Sequence, residues 1–405
     1  MRETAPGPPS QDARAAWDAD SRRRIAHMRR VVEGVMGVPA AEGNRVQVLR
    51  NGVEIFPAML QSIAGAERTI DFLTFVYWEG EIGRRFAHAL AERARAGVRV
   101  RVLLDSWGAS SIEKAAVEEM EGAGVDVEWF RPIVQIRPQR PDHRTHRKIL
   151  LVDEKTGFTG GVGIADEWQG DARDETEWRD THFRIEGPAV DGLRGAFLDD
   201  WSEASDALFS DVDRFPQQPV AGPSLIQCIR GESTTGWSDI HTLFCTLLQL
   251  AEHRVRLTTA YFAPDARLID QLLRARGRDV EVEILLPGPH IDKRFVQLAG
   301  QRSYGDLLEA GVQICQYQPS MLHAKIMLVD GIAANIGSAN LNGRSAKLDD
   351  EVNLVVYDPD VVRVLSDQFD DDLERSERIE SKRWRRRPLT QKVLEQAAAM
   401  LKPEV

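Results

Sequence analysis

The chain has 405 residues, with 52 Lys+Arg against 63 Asp+Glu and a formal net charge of −11. That acidic balance argues against a general grip on nucleic acid, which rests on cationic neutralisation of phosphates. No apolar run approaches the ~18–20 residues needed to span a bilayer, and the three cysteines, Cys228, Cys245 and Cys315, lack CxxC spacing and cannot all pair. Structural zinc and a disulfide framework are thereby disfavoured, and a reducing compartment fits.

Met1 to about residue 15 is Pro-rich and polar, reads as a disordered tail, and lacks the apolar core of a signal peptide. From Trp17 to Met36, Ile25, Met28, Val32 and Val35 recur at helical spacing, with Arg22, Arg23, Arg24, Arg29 and Arg30 around them. This amphipathic helix suits either an anionic membrane surface or packing on its own domain. After Val46 strands and helices alternate: strand Thr69–Tyr77, helix Ile82–Ala96 closed at Gly97, strand Val98–Leu104, helix Ser111–Ala123, strand Val125–Phe130. Such alternation predicts a sheet with helices on its faces.

The order then recurs. Val255–Phe262 repeats the first strand, Val280–Leu286 answers Val98–Leu104, and Leu307–Val312 answers Met120–Val125. A repeat of roughly 170–180 residues is too long for a solenoid and predicts a pseudo-dimer of two similar lobes. We expect a tail and helix over 1–45, a first lobe over 46–204 and a Pro/Gly-bearing linker over 205–224. A second lobe follows over 225–380, then a basic segment and helix over 381–405.

Each half carries one polar string in the same place. His146, Lys148 and Asp153 are followed by Gly160-Gly161, while His323, Lys325 and Asp330 are followed by Gly337-Ser338-Ala339-Asn340. On a strand, residues two apart share a face, so each His would point with its Lys. An unpaired ammonium on a core strand is costly, and its duplication in register argues for use. Two His and two Lys suit phosphodiester chemistry: an imidazole attacks phosphorus, the other moves the proton, and the ammonium groups hold the charge. No metal or other cofactor is called for. Asp180 and Glu351, matched in position ahead of Phe197 and Phe369, are the candidates to orient the imidazoles. Asp153 and Asp330 belong to the motif set but fall on the opposite parity, and read as structural, pairing with backbone or Arg near the site. Lys148, Lys325, Asn340 and Ser338 are the expected phosphate-binding set.

Two basic runs stand out in this acidic chain. Arg137, Arg140, Arg144, Arg147 and Lys148 face a single Asp142, and Lys382-Arg383-Trp384-Arg385-Arg386-Arg387 places a Trp among cations. The first would draw anionic head groups to the site mouth and the second would suit a bilayer interface; either also reads as a solvated connector.

With its paired motifs the chain resembles the phospholipase D superfamily, and most closely the bacterial cardiolipin synthases, over about residues 46–402. Asn51-Gly52, Thr159-Gly160-Gly161, Ala260-Tyr261-Phe262-Ala263-Pro264-Asp265 and Gly337 through Ser345 also carry the likeness. The resemblance implies an α/β fold of two phospholipase D-like lobes, each a mixed, mainly parallel sheet flanked by helices, with one active site between them. It implies His146 as nucleophile and His323 as general acid/base, with Glu351 orienting His146 and Asp180 orienting His323. It further implies phosphatidyl transfer between two phosphatidylglycerol molecules, giving cardiolipin through a phosphohistidine, with hydrolysis of lipid or nucleic acid as the alternative. Two departures matter: Gly161 and Gly163 stand where the family often has Ser and Asn, and two N-terminal membrane-spanning helices common in cardiolipin synthases are not seen. Cytoplasmic, peripheral access to an anionic membrane is the expectation.

Overall fold

The computed structural model describes residues 17–132, 143–205, 215–232 and 239–388, with 390, 394, 395 and 398 beyond them. The tail before Trp17, residues 206–214 of the expected linker, Arg137, Arg140 and Asp142 lie outside the described residues.

The first lobe contributes β1 (Ala41–Arg50), β2 (Thr69–Thr74), β3 (Arg99–Asp105), β4 (Asp126–Phe130), β5 (Arg144–Thr145), β6 (Ile149–Val152), β7 (Thr156–Gly160) and β8 (Thr181–Glu186). The second contributes β9 (Ser224–Gly231), β10 (Arg254–Thr258), β11 (Phe262–Ala263), β12 (Glu281–Pro287), β13 (Gln313–Tyr317), β14 (Ile326–Val329), β15 (Ala333–Gly337), β16 (Leu341–Asn342), β17 (Asp349–Tyr357) and β18 (Ser376–Arg378). Main-chain pairing joins the lobes into a single sheet, in the order β18-β13-β12-β10-β14-β15-β17-β9-β1-β8-β7-β6-β2-β3-β4. Read outward from the antiparallel β1–β9 seam, the two halves have the same order, so the pseudo-dimer is built across one pair of edge strands. Closing the two edges against each other removes exposed ladder groups that each lobe alone would present.

The sheet is mixed, and along its main path parallel pairing is confined to β2–β3–β4 and β10–β12–β13, with β5 adding a short parallel pair to β17 off that path. The other main-sheet pairs, from β6–β2 out to β8–β1 and their counterparts, are antiparallel, which corrects the expectation of a mainly parallel sheet. The reason is the connections. Helices Glu81–Arg95 and Lys114–Gly122 carry the chain over for a parallel return, whereas β6 and β7 are joined by a tight turn that forces an antiparallel one.

Helix Ala19–Met36 forms as its spacing predicts, and Ile25, Met28 and Val32 are buried. They join one apolar cluster with Leu243, Leu247 and Leu248 of helix Asp239–Leu250, so the helix packs on the second lobe. Of its apolar stripe, Ile25, Met28 and Val32 are covered by protein while Val35 stays half exposed, so the helix packs on its own chain, the second of the two roles its spacing allowed. In the basic segment Trp384 packs tilted against Tyr304 at 5.3 Å and Arg387 pairs with Glu395, whereas Lys382, Arg383 and Arg386 are exposed and Arg385 meets Glu309 at the surface.

Candidate active site

The two His–Lys pairs lie not on strands but in extended segments just ahead of β6 and β14. Each segment leaves its own lobe to run beside the other. β5 pairs in parallel with β17, and the His146 N–H donates to Asp350 O at 2.9 Å. On the opposite side Leu322 bridges Arg179, and the His323 N–H donates to Arg179 O at 2.7 Å. Each imidazole is thereby delivered to a carboxylate of the other lobe. His146 Nδ1 lies 3.0 and 3.1 Å from the Glu351 oxygens, and His323 Nδ1 lies 2.8 Å from Asp180 Oδ2. An ionised carboxylate only accepts, so each Nδ1 carries the proton and each Nε2 keeps a lone pair for chemistry.

Glu351 and Asp180 are fully buried. Burial opposes their ionisation, but the facing His and the nearby lysine charges outweigh it and hold both at about 2. Burial and the lysine charges push His146 down to about 3 and His323 to about 4, against the pull of their carboxylates. Both imidazoles are therefore neutral at pH 7 in the unliganded site. Burial also lowers Lys148 to about 8 and Lys325 to about 7, the latter helped by the charge of Lys148. Lys148 Nζ donates to His146 O at 2.7 Å, and Lys325 Nζ donates to His323 O. Four groups easily switched in charge thus surround one point between the lobes, as an anion site requires.

Asp153 and Asp330 take no part in this cluster. They lie at the far ends of β6 and β14, both at positive φ (52° and 54°), in the turns into β7 and β15. Asp153 accepts the backbone N–H groups of Glu67, Arg68 and Thr69, and Asp330 those of Glu252, His253 and Arg254. Arg24 of the N-terminal helix adds an ion pair to Asp330 at 2.6 Å. Their role is to fasten the turn to the start of β2 or β10, away from the imidazoles and not at the site.

Ser338 also departs from its expected role. Its Oγ donates to Glu351 Oε2 at 2.5 Å and accepts from Val352 N at 3.1 Å, so it holds the carboxylate instead of a phosphate. Asn340 Oδ1 accepts from Thr259 Oγ1 at 3.5 Å, which leaves its amide N–H groups as the donating end. Arg144 and Arg147 are buried and committed. Arg144 pairs with Asp105, and Arg147 pairs with Asp200 and donates to the carbonyls of Ala196 and Glu351. These two anchor the His146 segment and provide no exposed positive field, because the buried acids of their own domain neutralise them.

The glycines of the first motif have a steric cause. A Cβ on Gly161, which stands where the second lobe has Ser338, would fall 2.4 Å from Asp180 Oδ1. A Cβ on Gly163, the counterpart of Asn340, would fall 2.6 Å from Val76 Cβ and 3.4 Å from the Trp168 ring. Trp168 fills that side, donating its indole N–H to Asp180 Oδ2 at 2.9 Å and packing edge-on to His323 at 5.1 Å. Asn51, at φ 58°, braces the same carboxylate segment, exchanging hydrogen bonds with the Asp180 backbone at 3.0 and 3.3 Å. Trp178 and Tyr261 complete the wall around His323, and Phe75 lies 5.2 Å from His146. The motif spacing does not disclose these aromatic residues. Trp168, seven residues after Gly161, has no aligned aromatic in the second half to mark it.

The family model described as cardiolipin synthase, PLD-like domain, matches residues 59–177 and 244–373. The major cardiolipin synthase ClsA of Bacillus subtilis (strain 168) is 33% identical over 366 residues, 89% of this chain and 76% of that protein. Cardiolipin synthase of Geobacillus kaustophilus (strain HTA426) is 33% identical over 368 residues, 90% of this chain and 73% of its own. Among solved structures, phosphatidylserine synthase of Haemophilus influenzae Rd KW20 superposes with a TM-score of 0.73 over 94% of this chain and 100% of its own. At 14% identity that likeness speaks for the fold alone. Two lobes, a doubled His–Lys motif and relatives aligned across both halves agree: the chain belongs to the cardiolipin synthase family of proteins with a phospholipase D-like domain.

Proposed function

We propose that the protein is a phosphatidyltransferase that makes cardiolipin and glycerol from two molecules of phosphatidylglycerol. The observation that carries the reading is the crossed pairing of His146 with Glu351 and His323 with Asp180 about one buried cluster. Glu351 holds the Nδ1 proton of His146, so Nε2 attacks phosphorus and the bond to the head-group glycerol breaks. His323, protonated once the anionic phosphodiester is bound, gives its proton to the departing glycerol oxygen. The phosphatidyl group then rests on His146. A hydroxyl of the second phosphatidylglycerol loses its proton to His323 and attacks the same phosphorus, releasing His146. Lys148 and Lys325 offset the charge of the five-coordinate transition states from fixed positions.

The donor and acceptor both reside in a bilayer. Among the described residues no helix is long and apolar enough to cross one, so the reading includes access to the membrane from its cytoplasmic surface. Three free thiols accord with a reducing compartment.

The test is purified protein with phosphatidylglycerol vesicles, read by mass spectrometry. Cardiolipin and glycerol are expected, with none from His146→Ala. Phosphatidic acid in place of cardiolipin would make the enzyme a hydrolase, and identical output from His146→Ala would remove the mechanism.

A further inference from the structure

The N-terminal helix buries Ile25, Met28 and Val32 on the second lobe, and the basic segment ties Trp384 and Arg387 to protein partners while Lys382, Arg383 and Arg386 stay exposed, yet the proposed substrates lie in a bilayer. Among the described residues three large aromatics are exposed: Trp107 at 67%, Phe215 at 53% and Phe295 at 40%. Phe215 carries the Arg194 guanidinium over its ring at 4.2 Å and lines a cavity with Val38 and Gly192, whereas the other two lie in connections tied to the active site. Trp107 and Phe295 lie in the corresponding connections of the two lobes, Trp107 just after β3 and Phe295 in the helix Arg294–Gln301 that follows β12.

Each is tied to one half of the active site. Asp105 accepts the N–H of Trp107 at 2.9 Å and of Gly108 at 3.0 Å, while its other oxygen takes Arg144 at 3.0 Å, two residues before His146. Gly108 lies so close to Phe75 that a Cβ there would meet Phe75 O at 2.2 Å, and the Phe75 ring packs on His146. On the other side Lys293 Nζ lies 5.3 Å from the centre of the Tyr261 ring, which packs on His323 at 6.3 Å, and Phe295 is the second residue of the helix Arg294–Gln301 that Lys293 precedes. Lys293 and Arg294 are exposed beside Phe295.

We propose that Trp107 and Phe295 are the interfacial anchors that seat the active-site mouth on an anionic phospholipid bilayer, with Lys293 and Arg294 meeting the head groups. Indole and phenyl rings partition to the head-group level of a bilayer, and cations near an anionic surface add attraction. A molecule of net charge −11 is not drawn to such a surface as a whole, so attraction must be local and must lie where the substrate enters. One ring from each lobe, each beside a residue (Gly108 or Lys293) that touches the aromatic packed on a catalytic His, would set the cleft between them toward the lipid. This inference rests on the phosphatidyl-transfer reading for its choice of partner.

The experiment compares the parent with Trp107→Ser/Phe295→Ser on two forms of one substrate: phosphatidylglycerol vesicles, and short-chain phosphatidylglycerol dissolved as monomers. Co-sedimentation with the vesicles is measured alongside. The variant is expected to bind vesicles about tenfold or more weakly, to lose vesicle turnover in proportion, and to turn over the monomeric lipid as the parent does. Parental sedimentation and vesicle turnover by the variant would overturn the proposal. So would equal loss on both forms, because the rings would then be serving the site itself. If the parent turned over neither form, the reaction assigned above would fail, while sedimentation of parent against variant would still decide the docking surface.

Discussion

Trp168 Nε1 donates to Asp180 Oδ2 at 2.9 Å, the same oxygen that faces His323 Nδ1 at 2.8 Å. In the other half Glu351 receives the Ser338 hydroxyl instead. The two imidazoles thus have the same kind of partner, a buried carboxylate with one extra side-chain donor, reached by different means. Aspartate is shorter than glutamate, its lobe has Gly161 in the serine position, and the indole supplies the donor from the other side.

Trp168→Phe keeps a ring against His323 and removes only the N–H. A hydrogen bond to a charged group contributes about 1.5–3 kcal/mol, so turnover should fall by roughly one to two orders of magnitude. Loss of the donor raises the Asp180 pKa, so the acid limb of the pH–rate profile should move to higher pH. Unchanged kinetics in the variant would show that the indole only fills space.

Restoring a serine in the first motif should harm the enzyme. Gly161→Ser puts Cβ 2.4 Å from Asp180 Oδ1, so the carboxylate that orients His323 must move. The expected result is a fall in turnover with His146 chemistry still detectable as trapped phosphohistidine. Parental or improved turnover would contradict this steric account.

Anion binding should take up protons. An anion between the lobes favours the charged forms of Lys325, at about 7, of Lys148, at about 8, and of His323, at about 4. Inorganic phosphate is the probe. Titration calorimetry at pH 7.5 in buffers of different ionisation enthalpy should show net uptake, and affinity should fall as pH rises through about 7 to 8. Buffer-independent heats would show that the lysines are already fully charged.

Asp153 and Asp330 should matter for stability and not for chemistry. Replacing Asp153 by Ala orphans three backbone N–H groups and should cost about 2–4 kcal/mol. Denaturant melts should show this, while the kcat of the folded fraction stays near that of the parent. A selective loss of kcat would return Asp153 to the active site.

His182 offers a test of acid sensitivity. Burial lowers it to about 4, and its Nδ1 has no hydrogen-bond partner. A His depressed on folding contributes stability that is present above its unfolded value near 6.5 and is lost as pH falls toward about 4. Between pH 7 and pH 4 the parent should therefore lose more stability than His182→Gln, measured by urea unfolding. Parallel losses would mean that His182 is protonated in the folded state.

Much of the site was legible because its signal is local and doubled. The spacing of His146 to Lys148 and of His323 to Lys325 survives in the structure, although these residues lie in extended segments and not in strands. The Asp residues were separable by parity, and their seats in left-handed turns explain why aspartate suits them. Phosphate binding by Ser338 was a misreading, since sequence shows a hydroxyl near a motif and not the carboxylate within its reach. Arg144 and Arg147 misled for the same reason: their partners Asp105 and Asp200 are distant in the chain.

What the sequence determined by itself was whatever repeats along one chain: alternating strands and helices, their duplication, and two His–Lys pairs whose chemistry follows from residue type. The tertiary structure alone decided what covers each face and what answers each charge. Helical spacing showed that Ile25, Met28 and Val32 form a stripe, but only packing set that stripe on helix Asp239–Leu250. Composition counted Trp107 and Trp168 alike, but one stands in water and the other is buried against Asp180. Periodicity is a property of neighbours in sequence, whereas burial and hydrogen bonding depend on neighbours in space, which for His146 and His323 come from the other lobe and for Trp168, Arg144 and Arg147 from distant parts of their own.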